Sequence, residues 1–181
     1  RAQFPEDIQE RIASFDNPTG DLTNSDLEQA GVLAQADMVN MIYDLRDRTL
    51  AMLNDNIVAV SRNRKGAVTS DQAGAYLCRM TSLHRRHHRY CHEVSHMSGK
   101  AQEMADTLSR HHDLTDEELL TLFDHRFPQD KPWRMCHLPD EMLLALNCSL
   151  RRKRPATASY LQLNLTEPTC SHTGWLSATP T

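Results

Sequence analysis

The sequence predicts an α/β fold, and three observations carry that reading. Two short apolar runs, residues 49–53 and 90–97, have the length and composition of strands. Two longer stretches, residues 27–42 and 73–87, repeat apolar side chains at three- and four-residue spacing, the period of a helix with one buried face. Helix-start signals and Gly- or Pro-containing turns separate these segments.

The elements follow in order. Ile8, Ile12 and Phe15 suggest an edge strand closed by the turn Asn17-Pro18-Thr19-Gly20. Ser25 followed by Glu28 matches a capping box and opens a long helix that would bury Leu27, Ala30, Gly31, Ala34, Met38, Met41 and Ile42. Gly31 lowers helix propensity there but admits a close neighbour. Residues 49–53 read as a buried strand ending at Asn54-Asp55-Asn56, and the carboxyl ends of such strands are where open α/β sheets place ligands. A short helix over 56–61 is stopped by the basic segment 62–66.

In the helix over 70–89, Ala73, Tyr76, Leu77, Met80, Leu83 and His87 face inward, while Arg79, Arg86 and Arg89 face solvent or phosphate. The strand over 90–97 then turns through Ser98-Gly99-Lys100 into a short amphipathic segment carrying Asp106. Thr115 and Glu118 form a second capping box, whose helix is broken at Phe127-Pro128. A last helix spans 139–150, and a Ser-, Thr- and Pro-rich tail without a core of its own follows. The boundaries expected are 1–111, a helical extension over 112–150, and a disordered tail over 151–181.

At 181 residues, with 39% hydrophobic and 24% charged residues, the chain suits one ordinary domain plus extensions. No apolar run approaches the roughly 18 residues of a membrane span, so no membrane association is expected. The five cysteines are odd in number and irregularly spaced, which argues for a reducing compartment and an intracellular setting, cytoplasmic or nuclear. The first residues, Arg1-Ala2-Gln3-Phe4-Pro5, show neither an initiator Met nor a secretory signal, as expected of a fragment.

The net charge of −4 is unevenly spread. Residues 1–61 carry eleven acids against four arginines, a net of −7; residues 62–100 carry eight basic residues against two acids, +6, with five histidines besides. An acidic segment beside a basic one fits a protein that meets phosphates near a metal-binding carboxylate cluster, and equally fits an ordinary solvated surface.

Three motifs in sequence resemble the ribonuclease H domain of reverse-transcribing retroelement polyproteins. Gly99 through Ala105-Asp106 to Leu108-Ser109-Arg110 is similar to the family's closing motif. Residues 24–30 resemble the helix holding its second acid, and Leu53-Asn54-Asp55-Asn56, with Ala59-Val60 and Lys65-Gly66 after it, resembles the strand end holding the third. Asn17-Pro18-Thr19-Gly20 and Leu83-His84-Arg85-Arg86-His87-His88-Arg89-Tyr90 have close counterparts in retroelements that also encode a tyrosine recombinase.

The resemblance covers roughly residues 4–150. It implies an incomplete ribonuclease H-like fold, a mixed sheet lacking its first strand and packed by helices, with a helical C-terminal extension. It implies that Glu28, Asp55 and Asp106 are catalytic and hold Mg²⁺ for two-metal hydrolysis of RNA in RNA/DNA hybrids, a chemistry that needs hard oxygen ligands. The family's first acid lies on a strand preceding this sequence, so an amino-terminally truncated, inactive remnant within a polyprotein is expected. Gln102 also stands where relatives usually carry Asn.

Each acid has a second reading. Glu28 completes a capping box, Asp55 closes an Asx turn, and Asp106 is a helix-start acid favoured by the macrodipole. Arg79, Arg85, Arg86, Arg89 and Lys100 are candidate nucleic-acid contacts, which would also serve a non-catalytic binding or assembly module. Cys78, His84, His87, His88, Cys91, His92 and His96 include zinc-type donors, but their spacing matches no CxxC pairing, and the helical period places His87 in the core.

Overall fold

A computed structural model describes residues 3–68, 72–111 and 113–153, apart from the side chain of Lys100. Its elements are α1 (Glu6–Gln9), α2 (Asn24–Ile42), β1 (Thr49–Asn54), α3 (Ile57–Lys65), α4 (Ala73–His88), β2 (Cys91–His96), a 3₁₀ turn (Gly99–Ala101), α5 (Glu103–Arg110), α6 (Asp116–Arg126) and α7 (Asp140–Leu150). The α/β class expected from the sequence is present.

Among the described residues the sheet has two strands, β1 and β2, paired in parallel from Thr49↔Cys91 to Asn54↔His96. Parallel neighbours need a crossover, and α3 with α4 supplies it. Among the described residues neither the mixed sheet nor the edge strand over 8–15 is formed. Instead Glu6 and Asp7 follow Pro5 into the single turn of α1, Ile8 is buried, and only Ile12 bridges to Leu22. Phe15 points wholly into solvent.

Helix α2 begins two residues earlier than the Ser25–Glu28 box suggests. Asp26 accepts from both the backbone N–H and the hydroxyl of Thr23, at 2.9 and 2.8 Å, while the Ser25 hydroxyl donates to Asn56 Oδ1. Asp26 is fully buried and also accepts from Arg62 Nη1 at 2.8 Å, tying α2 to α3. Gly74 at the start of α4 leaves room for that pair: a Cβ there would lie 3.1 Å from Arg62 Cζ and 3.2 Å from Asp26 Oδ1.

Because α2 is buried on two sides, it divides the interior into two clusters. Ala30 and Leu33 pack with Ile8, Leu22, Leu77, Met80, Leu146 and Leu150, whereas Val32 and Ala36 pack with Met52, Val60, Tyr90 and Val94 under the sheet. Helix α7 therefore supplies a wall of the first cluster, so the carboxyl-terminal part of the segment expected as an extension packs into the same core as α2 and α4. The tail beyond residue 153 lies outside the described residues.

The face of α2 expected to be buried meets a different fate along its length. Leu27, Gly31, Ala34 and Met38 line an open apolar groove of about 800 Å³ beside β1, and Met41 and Ile42 are exposed. With two strands, the sheet is too narrow to cover that side of the helix.

The turn Asn17-Pro18-Thr19-Gly20 acts as a clasp. Asn17 Nδ2 donates to the carbonyls of Glu10 and Ile12, and Gly20 lies against the backbone of Ile12 and Ala13, where an added Cβ would sit 2.5 Å from Ala13 N. Backbone cannot give way cheaply, so Gly20→Ala is expected to destabilise the protein by about 1–3 kcal/mol in denaturant melts. Gly31→Ala is the control, because nothing lies within 4 Å of that position.

Among the described residues no helix is long and apolar enough to cross a membrane. Cys78, Cys91 and Cys148 are free thiols.

Candidate functional site

The three acids singled out in the sequence line one pocket of about 630 Å³, together with Asn54, Gly99, Gln102, Ser109 and Arg110. Each comes from a different element: Glu28 from the second turn of α2, Asp55 from the end of β1, Asp106 from the first turn of α5. Asn54 ties the end of β1 to α2 through Glu28, while Asp106 is paired within α5.

Asn54 organises the strand end. Its Nδ2 donates to Glu28 Oε2 at 3.0 Å and its Oδ1 accepts from Asn56 N at 2.8 Å. Asn56 then caps α3 by accepting from the N–H groups of Val58 and Ala59. Asp55 is thus held between two asparagines that turn the chain, with its own carboxylate exposed. Gly99 approaches it closely, since a Cβ there would lie 3.2 Å from Asp55 Oδ2. The glycine of the closing motif is the residue that lets the 3₁₀ turn pass the acid.

Asp106 is exposed and accepts from Arg110 Nε at 2.9 Å, one helical turn on. The oxygen-rich donor set suits Mg²⁺, a hard cation that keeps several of its waters and so can be held by carboxylates spaced apart. The acids do not form a tight cage. Among the described residues, the group of three His, Cys, Asp or Glu ligand atoms lying within 4.8 Å of one another is Asp37, His84 and His88.

His84 and His88 were among the zinc-type donors named in the sequence, but Asp37 was not. His84 and His88 lie one turn apart on α4, and Asp37 faces them from α2. His84 is fully buried, with Nε2 3.0 Å from Asp37 Oδ1 and Nδ1 2.9 Å from the Tyr90 hydroxyl. Burial pushes the Tyr90 phenol up, so it remains protonated. Burial, helped by the nearby His84 and His87, pulls His88 down to about 4, leaving it neutral at pH 7. His88 Nδ1 is 3.0 Å from Asn40 Nδ2.

The inward histidine of α4 is therefore His84, and His87, expected in the core, is exposed. The i, i+4 spacing of His84 and His88 was the available signal; Asp37, 47 residues before His84, gave none. Cys78 belongs elsewhere: Gln29 Nε2 donates to its sulfur, and burial raises its thiol.

The basic residues do not form one surface. Arg79 and Arg86 are exposed and, seven residues apart, share a face of α4. Arg85 is half-buried, with its Nε sequestered from solvent and without a hydrogen-bond partner. Arg89 ends α4 in the left-handed region (φ 53°), and its Nη2 donates to both carboxylate oxygens of Asp47, at 3.0 and 3.1 Å. The side chain of Lys100 lies outside the described residues.

Compared with protein-family models, curated proteins and solved structures, the chain matches none.

Proposed function

We propose that this chain is a remnant of a retroelement ribonuclease H-like domain whose ancestral centre is the pocket lined by Glu28, Asp55 and Asp106. One observation carries the reading: three acids on three separate elements, chosen by motif, open onto one pocket at the carboxyl end of β1. In such a centre Mg²⁺ supplies an activated water and stabilises the leaving oxygen of a phosphodiester. Glu28, Asp55 and Asp106 are the residues that would hold it, with Asn54 orienting Glu28 and Gly99 admitting the turn beside Asp55.

Glu28, Asp55 and Asp106 are three of the four acids that the resemblance implies. Hybrid cleavage by this chain alone is expected at background, while a Mg²⁺ titration should shift the backbone amide signals of Asn54, Asp55 and Gly99. Asp55→Asn should abolish those shifts. Robust hybrid cleavage that survived Asp106→Asn would defeat the assignment of the acids, and amide signals indifferent to Mg²⁺ would defeat the metal assignment.

A non-catalytic nucleic-acid-binding role is the second reading, supported by the exposed pair Arg79 and Arg86 on one face of α4. Its signature is electrostatic. Replacing both with Ala should weaken RNA/DNA hybrid binding and lower the slope of log affinity against log salt by about 2, one unit for each lost phosphate contact. An unchanged slope would remove this face from consideration.

A further inference from the structure

We infer that Asp37, His84 and His88 form a binding site for a borderline divalent metal ion of the Zn²⁺ class, separate from the acid pocket. The donor set decides the metal. Two imidazole nitrogens and one carboxylate oxygen match the three protein ligands of zinc sites that keep a fourth position for water, whereas Mg²⁺ and Ca²⁺ prefer all-oxygen surroundings.

The geometry is close to what coordination requires. One ligand atom from each residue already lies within 4.8 Å of the other two, and Asp37 and His84 are 3.0 Å apart. Ligands on a tetrahedral ion at metal–ligand lengths of about 2.0–2.2 Å stand roughly 3.3 Å from one another. Closing that gap asks the His88 side chain, which meets Asn40 Nδ2 at 3.0 Å, to turn toward the pair.

Support behind the ligands is also in place. Tyr90 holds the Nδ1 side of His84, which directs Nε2 at Asp37, and such outer partners fix the tautomer and orientation of ligating histidines. In the metal-free form His84 donates Nε2–H to Asp37 and accepts from the Tyr90 hydroxyl. With metal on Nε2, the proton resides on Nδ1, which donates to the Tyr90 oxygen. Binding therefore needs a tautomer change at His84, a turn of the His88 side chain, and the exchange of the Asp37–His84 hydrogen bond for three metal–ligand bonds.

An entry route lies beside His88. A pocket of about 410 Å³ is lined by Asn40, Tyr43, Asp44, Arg46, His87 and His88, bringing solvent to one side of the cluster. The ion would bind α2 to α4 where β2 begins, above the smaller of the two cores. It would be a staple for that half of the molecule.

The test uses the full chain, stripped with a chelator and titrated with Zn²⁺ by calorimetry and with Co²⁺ by visible absorption. Expected are one saturable Zn²⁺ equivalent, a raised melting temperature, and the intense d–d bands of four-coordinate Co²⁺. His88→Gln spares the Asp37–His84–Tyr90 chain, so it should melt like the parent in chelator yet bind Zn²⁺ at least about tenfold more weakly. Tyr90→Phe should weaken binding about 10- to 100-fold. Asp37→Asn is the second ligand variant.

Absence of a saturable Zn²⁺ equivalent overturns the site and leaves a hydrogen-bonded cluster. Zn²⁺ binding unchanged in both His88→Gln and Asp37→Asn does so equally, and assigns the ion to other donors. Neither result bears on the acid pocket, which is read with Mg²⁺.

Discussion

Asp26→Ala is expected to be the most damaging single substitution at a polar position, costing about 3–5 kcal/mol, against a total stability of about 5–15 kcal/mol for an ordinary domain. Asp26 is completely buried and accepts three hydrogen bonds, from Thr23 N, Thr23 Oγ1 and Arg62 Nη1. Removing it strips the cap from α2 and leaves the mostly buried Arg62 guanidinium without its carboxylate. The loss is larger than the pair's net worth, because an unpaired buried charge is the expensive state.

That distinction gives the measurement. In urea melts followed by circular dichroism, Arg62→Met combined with Asp26→Leu should recover part of the loss, since an apolar pair replaces a desolvated ionic one. A loss below about 1 kcal/mol for Asp26→Ala would mean that the pair is open to solvent and the start of α2 is held by packing alone.

Leu150→Ala is expected to cost about 2–5 kcal/mol, the range for truncating a fully buried leucine whose neighbours cannot collapse into the space. Leu150 is 0% exposed and packs in the cluster with Ile8, Leu22 and Leu77, while Leu144 on the same helix is 54% exposed. Leu144→Ala should therefore change stability by no more than about 0.5 kcal/mol. Equal and small effects at both positions would show that α7 is a detachable extension, and a single cooperative transition that moves only with Leu150 would show that it is part of the first core.

The carboxyl-terminal end of α7 adds to that attachment. Arg151 is bidentate to Asp7 at 2.7 Å and Arg152 reaches Asp21 at 2.6 Å, joining the last described turn to the first. These contacts are exposed and screened, so apolar burial rather than ion pairing sets the size of the effect.

Much of the local structure was legible in the chain. The period of residues 73–87 placed α4, the Thr115–Glu118 box placed the start of α6, and the apolar run before Asn54 placed β1. These signals are local: a period, a cap, or a run bounded by turn residues. The edge strand over 8–15 failed because three apolar residues in eight fit more than one structure, and the acids after Pro5 favoured a helical turn.

The candidate sites divide in the same way. Glu28, Asp55 and Asp106 could be named from motif order, but that they open onto one pocket is a property of how α2, β1 and α5 meet. Sequence period put His87 inside; the packing of α4 against α2 chose His84, because that is the position from which an imidazole reaches Asp37 and Tyr90 together. By itself the sequence determined the α/β class and the order of the elements from α2 to α7, since each rests on neighbours within a few residues. Only the tertiary structure decided the parallel strand pair, the inclusion of α7 in the core and the Asp37–His84–His88 cluster, since each depends on residues tens of positions apart being brought together by burial.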